Sequence, residues 1–180
     1  MKWVDPISNE SLKQKNDFLI SNNSKYVIHD GIPNFVNKVD NIEQKQVQDS
    51  FGEKWTKSNF GHNQKEFEDK IKPIYLEMMG LIEDDLDIFQ NKIILEVGIG
   101  SGSSSKLWAP QSKEFHGVDI SKAVYEVKNS LGNLASNVIL SQSDINSLPY
   151  LDNSFDFIVS NGVYHHTPST KFALRNSLKK

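Results

Sequence analysis

Ile93-Ile-Leu-Glu-Val-Gly-Ile-Gly-Ser-Gly102 is the stretch that decides the fold. Its first half is an apolar run interrupted only by Glu96, which is typical of a strand buried on both faces of a parallel sheet. Its second half is a glycine loop, followed by a short helix predicted over residues 101–109 and closed by Pro110. Such a loop lets a ligand approach the backbone closely, and the helix N-terminus adds hydrogen-bond donors. A tight strand-to-helix turn without a ligand is the structural alternative.

Strands and helices are predicted to alternate after this loop. The sequence predicts strands over 114–118, 137–140 and 155–160, and helices over 121–131 and 169–178, with Ser121 as an N-cap. The last helix carries the apolar residues Phe172, Leu174 and Leu178. This alternation predicts right-handed βαβ units, and therefore an α/β fold in which helices cover both faces of a parallel sheet. Ligands of such sheets bind at the carboxyl ends of the strands.

An aspartate ends each of the next two predicted strands. Asp119 follows the glycines by about twenty positions, where a carboxylate can accept hydrogen bonds from both hydroxyls of a ribose. Asp144 ends the third strand, where it can accept a hydrogen bond from an adenine amine while Ile145 lies against the ring. The alternatives are a helix-start role for Asp119 and a turn role for Asp144.

The spacing of the glycines separates the classes of cofactor. The dinucleotide fingerprint needs its third glycine at the position of Ser103, so a nicotinamide-dependent oxidoreductase is disfavoured. No Gly-Lys-Ser or Gly-Lys-Thr follows the loop, which excludes a P-loop. The pattern from Glu96 to Gly102 is instead acidic-x-Gly-x-Gly-x-Gly.

Five segments, in this order, resemble the motifs of class I S-adenosylmethionine-dependent methyltransferases. They are Leu95-Glu-Val-Gly-Ile-Gly-Ser-Gly102, Gly117-Val-Asp-Ile-Ser121, Ser143-Asp-Ile145, Leu148-Pro-Tyr-Leu-Asp152 and Phe155-Asp-Phe-Ile-Val-Ser-Asn-Gly-Val-Tyr-His-His166. The last segment is most similar to the branch with small-molecule, lipid and quinone substrates. The resemblance implies a Rossmann-like sheet, S-adenosylmethionine as cofactor, and methyl transfer to a small-molecule or lipid-like acceptor.

The resemblance also implies the cofactor-binding residues. Glu96 would orient the methionine amine region, Asp119 would hold the ribose and Asp144 would read the adenine. The full set implied is Glu96, Gly98, Gly100, Gly102, Asp119, Ile120, Asp144, Ile145 and Asn161.

Tyr164, His165 and His166 follow the fourth strand and are the candidate catalytic residues. One of them would orient the acceptor or take its proton, since imidazole suits proton transfer near neutral pH. The alternative is that they cap the strand, pack on the sheet or line the cofactor pocket. Methyl transfer depends more on alignment and desolvation than on a base. Two histidines are too few ligands for a metal, and no metal site is predicted.

The first residues carry a second resemblance. Residues 25–28 and 32–36 predict a β-hairpin around the turn Asp30-Gly31. Together with Asp5-Pro-Ile-Ser8 and Ser21-Asn-Asn-Ser24, this hairpin resembles the Trm112-like zinc-ribbon module, whose members serve as activators or appendages of methyltransferases. The four ligand-like positions, Asp5, Ser8, Ser21 and Ser24, carry no cysteine, so we expect a module without zinc that is held by packing. An unrelated N-terminal hairpin is the alternative.

Three domains are therefore expected: a Trm112-like β module over 1–39, a helical cover or linker over 40–90, and the cofactor-binding domain over 91–180. A weak helix is predicted over 41–50, and the aromatics of Phe51-Gly-Glu-Lys-Trp55 would line the active-site mouth or anchor the cover to the core. The stripe of Phe67, Ile71, Ile74, Tyr75 and Met78 predicts a helix that Pro73 breaks and Gly80 ends.

The amino-acid composition excludes several classes of protein. The chain has 180 residues, no cysteine and a formal net charge of −3. The absence of cysteine excludes a disulfide scaffold, a cysteine-based zinc or iron–sulfur site and a thiol nucleophile. The small negative charge gives no strong indication of nucleic-acid binding. No secretory or membrane-spanning pattern is visible, so a cytoplasmic protein is expected. The chain ends after the helix that follows the fourth predicted strand, and we expect a fragment or a truncated gene product. A non-catalytic adaptor or degenerate binding protein is the alternative to an enzyme.

Overall fold

The computed structural model describes residues 3–36, 64–132 and 136–180, and its first part is a four-stranded antiparallel sheet. The strands are β1 (Lys13–Lys15), β2 (Phe18–Ile20), β3 (Lys25–His29) and β4 (Ile32–Pro33), each paired with the next. Asp30 and Gly31 turn the chain between β3 and β4 with φ of 50° and 77°, which confirms the predicted hairpin. The hairpin of β1 and β2 was not predicted, because β1 is exposed along its whole length and lacks apolar alternation.

The second sheet is parallel and has the strand order β7-β6-β5-β8. Its strands are β5 (Ile93–Val97), β6 (Glu114–Asp119), β7 (Val138–Gln142) and β8 (Phe157–Val159). In register, Leu95 on the central strand lies between His116 and Ile158. The predicted strands and the α/β sheet are confirmed, with bounds shifted by one to two residues. Strand order reverses between β5 and β8, so a ligand site is expected at the carboxyl ends of these strands.

Short helices connect these strands. The helical elements are α1 (Gln64–Glu66), a π-helical turn (Phe67–Ile71), α2 (Lys72–Met79), a 3-10 helix (Glu83–Phe89), α3 (Ser105–Trp108), a 3-10 helix (Lys122–Glu126), α4 (Val127–Leu131), a 3-10 helix (Tyr164–His166) and α5 (Thr170–Ser177). The predicted N-cap at Ser121 is confirmed, because its hydroxyl accepts a hydrogen bond of 3.2 Å from the amide of Ala123. None of the helices in the described segments is long and apolar enough to cross a bilayer.

The predicted apolar stripe before the parallel sheet is only partly correct. Phe67 and Ile71 are buried and Tyr75 is partly buried, but Ile74 and Met78 are 56% and 66% exposed. The π-helical turn explains this difference, because its wider turn rotates the following residues away from the preceding apolar face.

The expected break at Pro73 is confirmed in part, because the π-helical turn ends at Ile71 and α2 starts at Lys72. Pro73 lies in the first turn of α2, where a missing amide hydrogen is tolerated, and the helix continues to Gly80. Gly80 ends it with φ of 66°, as predicted. The weak helix predicted over 41–50 and the aromatic segment 51–55 lie outside the described residues.

The last helix, α5, packs on the sheet through small residues. Ala173 and Ser177 are fully buried, whereas Phe172 and Leu178 are exposed. The large apolar residues of this helix therefore lie on its outer face, away from the sheet.

The antiparallel sheet is docked on the edge of the parallel one. The amide of Phe35 donates a hydrogen bond of 2.8 Å to the carbonyl of Gln142 on β7, and Asn34 forms a parallel bridge with the same residue. The indole ring of Trp3 lies 5.4 Å from the ring of Phe35 and 5.3 Å from that of Tyr150. The N-terminal sheet thus covers an edge strand that would otherwise expose unpaired backbone groups.

A buried carboxylate organises the turns of the N-terminal sheet. Asp5 is fully buried and accepts hydrogen bonds from the amides of Ile7 and Ser8, at 2.9 and 2.8 Å, and from the hydroxyl of Tyr26 at 3.0 Å. Burial acts to raise the pKa of Asp5, but the hydrogen bonds from Ser24, from these amides and from Tyr26 outweigh it and lower the pKa to about 2. The carboxylate therefore joins the segment before β1 to the segment that enters β3.

Replacing Asp5 by Asn should destabilise the protein at neutral pH by about 2 kcal/mol, because the shift of its pKa from 3.8 to about 2 measures the stabilisation of the charged form. Because folding lowers this pKa, the stabilisation is present above about pH 4 and disappears as the pH falls towards 2. Urea unfolding of both proteins across this range measures the difference.

Asp17→Asn is the matched control, since Asp17 lies in the turn between β1 and β2 of the same sheet and is exposed. Equal stability of wild type and Asp5→Asn at pH 7 would show that the carboxylate does not hold the module together.

Candidate functional site

A cavity of about 350 Å³ opens at the carboxyl ends of the four parallel strands. Its wall takes residues from the ends of β5, β6, β7 and β8 and from α2. Of the residues named from the sequence, those that line the cavity are Gly98, Gly100, Asp119, Ile120, Asp144, Ile145, Asn161, His165 and His166. Glu96, Gly102 and Tyr164 are not part of the lining. The topology therefore brings most of the predicted set together at the expected edge of the sheet.

Asp119, at the end of β6, is tied to the glycine loop. One of its oxygens accepts a hydrogen bond of 2.9 Å from the amide of Gly100, and the other accepts bonds from the amide and hydroxyl of Ser121 at 2.8 and 2.7 Å. Burial raises the pKa of Asp119, while these hydrogen bonds act in the opposite direction. The helix-start role and the cavity role are thus compatible, since a carboxylate has about four lone-pair sites.

Glu96 on β5 supports the loop from behind. It is 1% exposed, and its oxygens accept hydrogen bonds of 2.6 Å from the hydroxyls of Ser104 and Ser105 and of 3.0 Å from the indole of Trp108. Burial raises its pKa against the effect of these donors. A contact of Glu96 with the cofactor stays a prediction. The hydrogen bonds that the structure shows for Glu96 come from α3 and from Ser104, the residue before α3.

The backbone amides of the glycine loop are largely used by the protein itself. The amides of Gly98 and Ile99 donate to the carbonyl of Val118 at 2.8 and 3.0 Å. The amide of Gly100 donates to Asp119, and that of Gly102 donates to the carbonyl of Ile99 at 2.9 Å. The loop is therefore held rigid, but these four amides are already paired and are not the ligand donors that the sequence suggests.

Close packing explains two of the glycines. A Cβ atom at Gly98 would lie 2.1 Å from a methyl group of Val163, and one at Gly102 would lie 2.9 Å from Val127 on α4. Gly98 thus permits the contact with the segment after β8. Gly102 permits the contact with α4, which explains a glycine that does not line the cavity.

Asp144 lies at the β7 end of the cavity. Its Oδ1 atom accepts hydrogen bonds from the backbone and side-chain nitrogens of Asn146, at 2.8 and 3.0 Å. These hydrogen bonds give Asp144 the role in a turn that the sequence allows as the alternative to a role in adenine binding. Because Asp144 and Ile145 also line the cavity, the turn presents both of them at its wall.

The segment after β8 forms the opposite wall. His165 and His166 are exposed, with ring centroids 3.9 Å apart, and both line the cavity. Tyr164 instead packs against the apolar cluster that contains Leu95 and Val97. The two histidines are placed for a role at the cavity, and Tyr164 takes the packing role that the sequence allows as its alternative.

Sequence reasoning missed part of the lining. Ser101, Ser103, Tyr75, Thr167 and Pro168 belong to the wall. Tyr75 comes from α2 and lies 6.2 Å from Trp108, ring centroid to ring centroid. The position of Ser101 between two glycines of the loop could have indicated that it lines the cavity. Nothing in the local sequence indicates this for Tyr75, because only the docking of α2 brings Tyr75 to the cavity.

Residues 95–179 match a family model described as a methyltransferase domain. An uncharacterized methyltransferase of Bacillus subtilis (strain 168), YcgJ, is 31% identical over 101 residues, which is 55% of this chain and 40% of that protein. In its crystal structure the matched region is 29% identical, covering 50% of this chain and 40% of that one, with a TM-score of 0.46. A SAM-dependent methyltransferase from Aquifex aeolicus is 21% identical, covering 51% and 52% of the two chains, with a TM-score of 0.46. The chain thus spans about two fifths of the length of the curated relative it matches.

The chemistry of the cavity fits the cofactor that such a domain implies. Asp119 and Asp144 offer carboxylate acceptors at two neighbouring strand ends, with Ile120 and Ile145 as apolar neighbours. The hydroxyl of Ser101 is buried and has no hydrogen-bond partner among the described residues, as expected of a polar group whose partner is a ligand. Residues 95–179 therefore match a methyltransferase domain and have the Rossmann-like class I fold, and S-adenosylmethionine is the cofactor that such a domain implies.

Proposed function

We propose that the chain is the cofactor-binding part of an S-adenosylmethionine-dependent methyltransferase that acts on a small-molecule or lipid-like acceptor. The observation that carries this proposal is the cavity that extends across the four parallel strand ends, with Asp119 and Asp144 at two neighbouring ends. The match of residues 95–179 to a methyltransferase domain supports it.

Asp119 and Asp144 hold the nucleoside in this proposal. Asp119 takes the ribose hydroxyls on lone pairs that Gly100 and Ser121 leave free, and Asp144 takes the adenine amine with Ile145 against the ring. Since burial raises the pKa of Asp119, a positive charge close to this carboxylate offsets part of the cost of burying it. A cationic sulfonium cofactor suits such a cavity better than a neutral one.

The acceptor lies between the segment after β8 and α2. His165, His166 and Pro168 contribute one side of this space, and Tyr75 contributes the other. Rings and a proline offer broad, weakly polar surfaces, which suits a flat or apolar acceptor.

S-adenosylmethionine supplies a methyl group bound to a positively charged sulfur. Held by Asp119 and Asp144, it would provide this methyl group to a lone pair of the acceptor and keep the electrons of the broken bond on its sulfur. A histidine would take the proton that the acceptor loses. His165 or His166 serves as this base, because a neutral imidazole can accept a proton near pH 7.

The N-terminal module belongs to the proposal as a support. It covers β7 through Phe35 and Asn34, and Gln142 on that strand directly precedes the cavity residues Ser143 and Asp144. We propose that residues 1–39 form this Trm112-like support, residues 40–90 the cover and residues 91–180 the cofactor domain.

Replacing Asp119 by Asn should weaken binding of S-adenosylhomocysteine about tenfold, because hydrogen bonds from the ribose to a charged acceptor are lost. Isothermal titration calorimetry of the whole chain measures this, and the thermal midpoint reports whether the variant is folded. Asp144→Asn provides a second test at the adenine end if Asp119→Asn fails to fold.

Asp152→Asn is the control, since this exposed carboxylate pairs with Lys180 away from the cavity. A folded Asp119→Asn variant that binds as tightly as wild type would contradict the ribose assignment. Absence of binding by the folded wild type would contradict the proposed function.

Replacing His165 and His166 together by Ala should leave the affinity for S-adenosylhomocysteine within about twofold, because the proposal places them on the acceptor side. The same titration tests this. A loss of affinity as large as that expected for Asp119→Asn would instead assign the histidines to the cofactor.

A further inference from the structure

The outer face of α5 combines exposed apolar side chains with positive charge. Six exposed residues on α5 and just after it make up this surface, which we call the basic face: Lys171, Phe172, Leu174, Arg175, Leu178 and Lys179. Its three apolar side chains are between 42% and 70% exposed. Large apolar side chains that lie together in water mark interaction sites more often than chance allows. The basic face is therefore a candidate docking surface.

The helical period places the cations in the middle of this face. Ala173 and Ser177 lie one turn apart and are buried against the sheet. Lys171 and Arg175 also lie one turn apart and, at about 100° per residue, project roughly opposite the buried pair, with apolar residues on both sides of them. Like charges at this spacing destabilise a helix. An anionic surface that covers both cations would remove this cost.

Positive charge is concentrated in this part of an otherwise acidic chain. Residues 157–180 contain Lys171, Arg175, Lys179 and Lys180 but no aspartate or glutamate, although the whole chain has a net charge of −3. Lys180 donates to Asp152 at 2.9 Å, whereas the other three cations form no salt bridge with any residue that the structure describes. Three exposed cations are thus available to an anionic partner.

The basic face begins beside the cavity. Pro168 is the last residue along the chain that lines the cavity, and Phe172 follows it by four residues. The hydroxyls of Thr167 and Thr170 donate to the carbonyl of Tyr164 at 2.6 and 3.1 Å, which fixes the start of α5 to the cavity wall. A surface that covers the basic face therefore lies next to the cavity.

The chemistry of the basic face selects among possible occupants. A second copy of the chain, paired through the same face across a two-fold axis, would place cations against cations. The backbone of a nucleic acid would pair with the cations but leave the apolar side chains uncovered. An anionic lipid surface satisfies both, because its headgroups carry negative charge and its acyl boundary accepts apolar side chains.

We infer that the basic face of α5 docks the chain on an anionic lipid surface and that the cavity takes a lipid-like acceptor from this surface. The docking follows from charge and exposure, whereas the use of the surface as a source of acceptor rests on the proposed function. Phe172, Leu174 and Leu178 enter the boundary between headgroups and acyl chains, while Lys171 and Arg175 pair with headgroup phosphates.

The test measures sedimentation of the whole chain with lipid vesicles. Mixed vesicles of phosphatidylcholine and phosphatidylglycerol are anionic, and vesicles of phosphatidylcholine alone are the neutral reference. The wild type should bind the anionic vesicles about a hundredfold more tightly, because each of three cations near an anionic surface strengthens binding about fivefold. Salt at about 1 M, which shortens the Debye length to about 3 Å, should abolish this preference.

Two variants separate the charged and apolar contributions. Arg175→Ala should weaken binding to the anionic vesicles about fivefold and leave binding to the neutral ones unchanged. Phe172→Ser should weaken binding to both about fivefold, because apolar contact with lipid is lost. The matched controls are Lys15→Ala on β1 and Ile74→Ser on α2, since Lys15 is exposed and Ile74 is 56% exposed against 57% for Phe172. Neither control should change binding, and thermal unfolding reports whether each variant is folded.

Equal binding of the folded wild type to both kinds of vesicle, or unchanged binding by Arg175→Ala, would overturn this inference. A dimer in light scattering that Phe172→Ser converts to a monomer would also overturn it, since a second copy would then cover the face. Binding of a DNA oligonucleotide without any binding of vesicles would assign the face to nucleic acid instead.

Titration of S-adenosylhomocysteine without vesicles separates this inference from the proposed function. If the chain binds this ligand but no vesicles, only the docking inference fails. If the chain binds anionic vesicles but not this ligand, the proposed function fails, and with it the use of the surface as a source of acceptor.

Discussion

Two carboxylates hold the glycine loop after β5, and the cavity takes its shape from that loop. Glu96 accepts three hydrogen bonds from Ser104, Ser105 and Trp108, and Asp119 ties the amide of Gly100 to the start of the helix after β6. A buried carboxylate without partners is costly, so each donor must stay in place for the loop to keep its conformation. The sheet supplies the rigid strands from which both carboxylates project.

The same anchoring connects the loop to the rest of the molecule. Trp108, which donates to Glu96, packs against Tyr75 of α2 at the cavity wall. Lys106 on α3 is 7% exposed and lies over the ring of Phe67, with its ammonium 5.5 Å from the ring centroid. Burial lowers the pKa of Lys106, and the nearby charge of Glu68 opposes this change. The helical segment 64–79 therefore covers the cavity and also packs against the helix that fixes the loop.

The N-terminal module shows a comparable use of a buried carboxylate. Asp5 occupies one of the four positions where the resemblance implies zinc ligands. It accepts hydrogen bonds from amide and hydroxyl groups of two segments and so links these segments. The module then docks through Phe35 on Gln142, whose side chain donates to the carbonyl of Ile120 at 2.9 Å. A short path of backbone and side-chain bonds thus joins the module to the β6 end of the cavity.

Much of the fold followed from local patterns. The buried run of β5, the glycine loop after it, the N-cap at Ser121 and the hairpin turn at Asp30-Gly31 were each predicted, because each depends on residues adjacent in the chain. Sequence patterns gave wrong or missing predictions where the conformation of an element depends on its surroundings in the fold. The π-helical turn moved Ile74 and Met78 away from the apolar face, and β1 formed as an exposed edge strand without an apolar pattern.

The sequence by itself determined the class of fold, the cavity's place at the strand ends and nine of the residues that line it, since parallel strands bring their carboxyl ends together wherever a βαβ order is present. The tertiary structure alone decided how those residues are used. It buried Glu96 between the glycine loop and α3, and it paired four amides of the loop with oxygens of the protein itself. It brought Tyr75 to the cavity from a distant helix and left the Ser101 hydroxyl at the cavity wall without a hydrogen-bond partner among the described residues. The physical reason is that hydrogen-bond partners are chosen among all groups that the fold brings within about 3 Å, and separation along the sequence does not limit that choice.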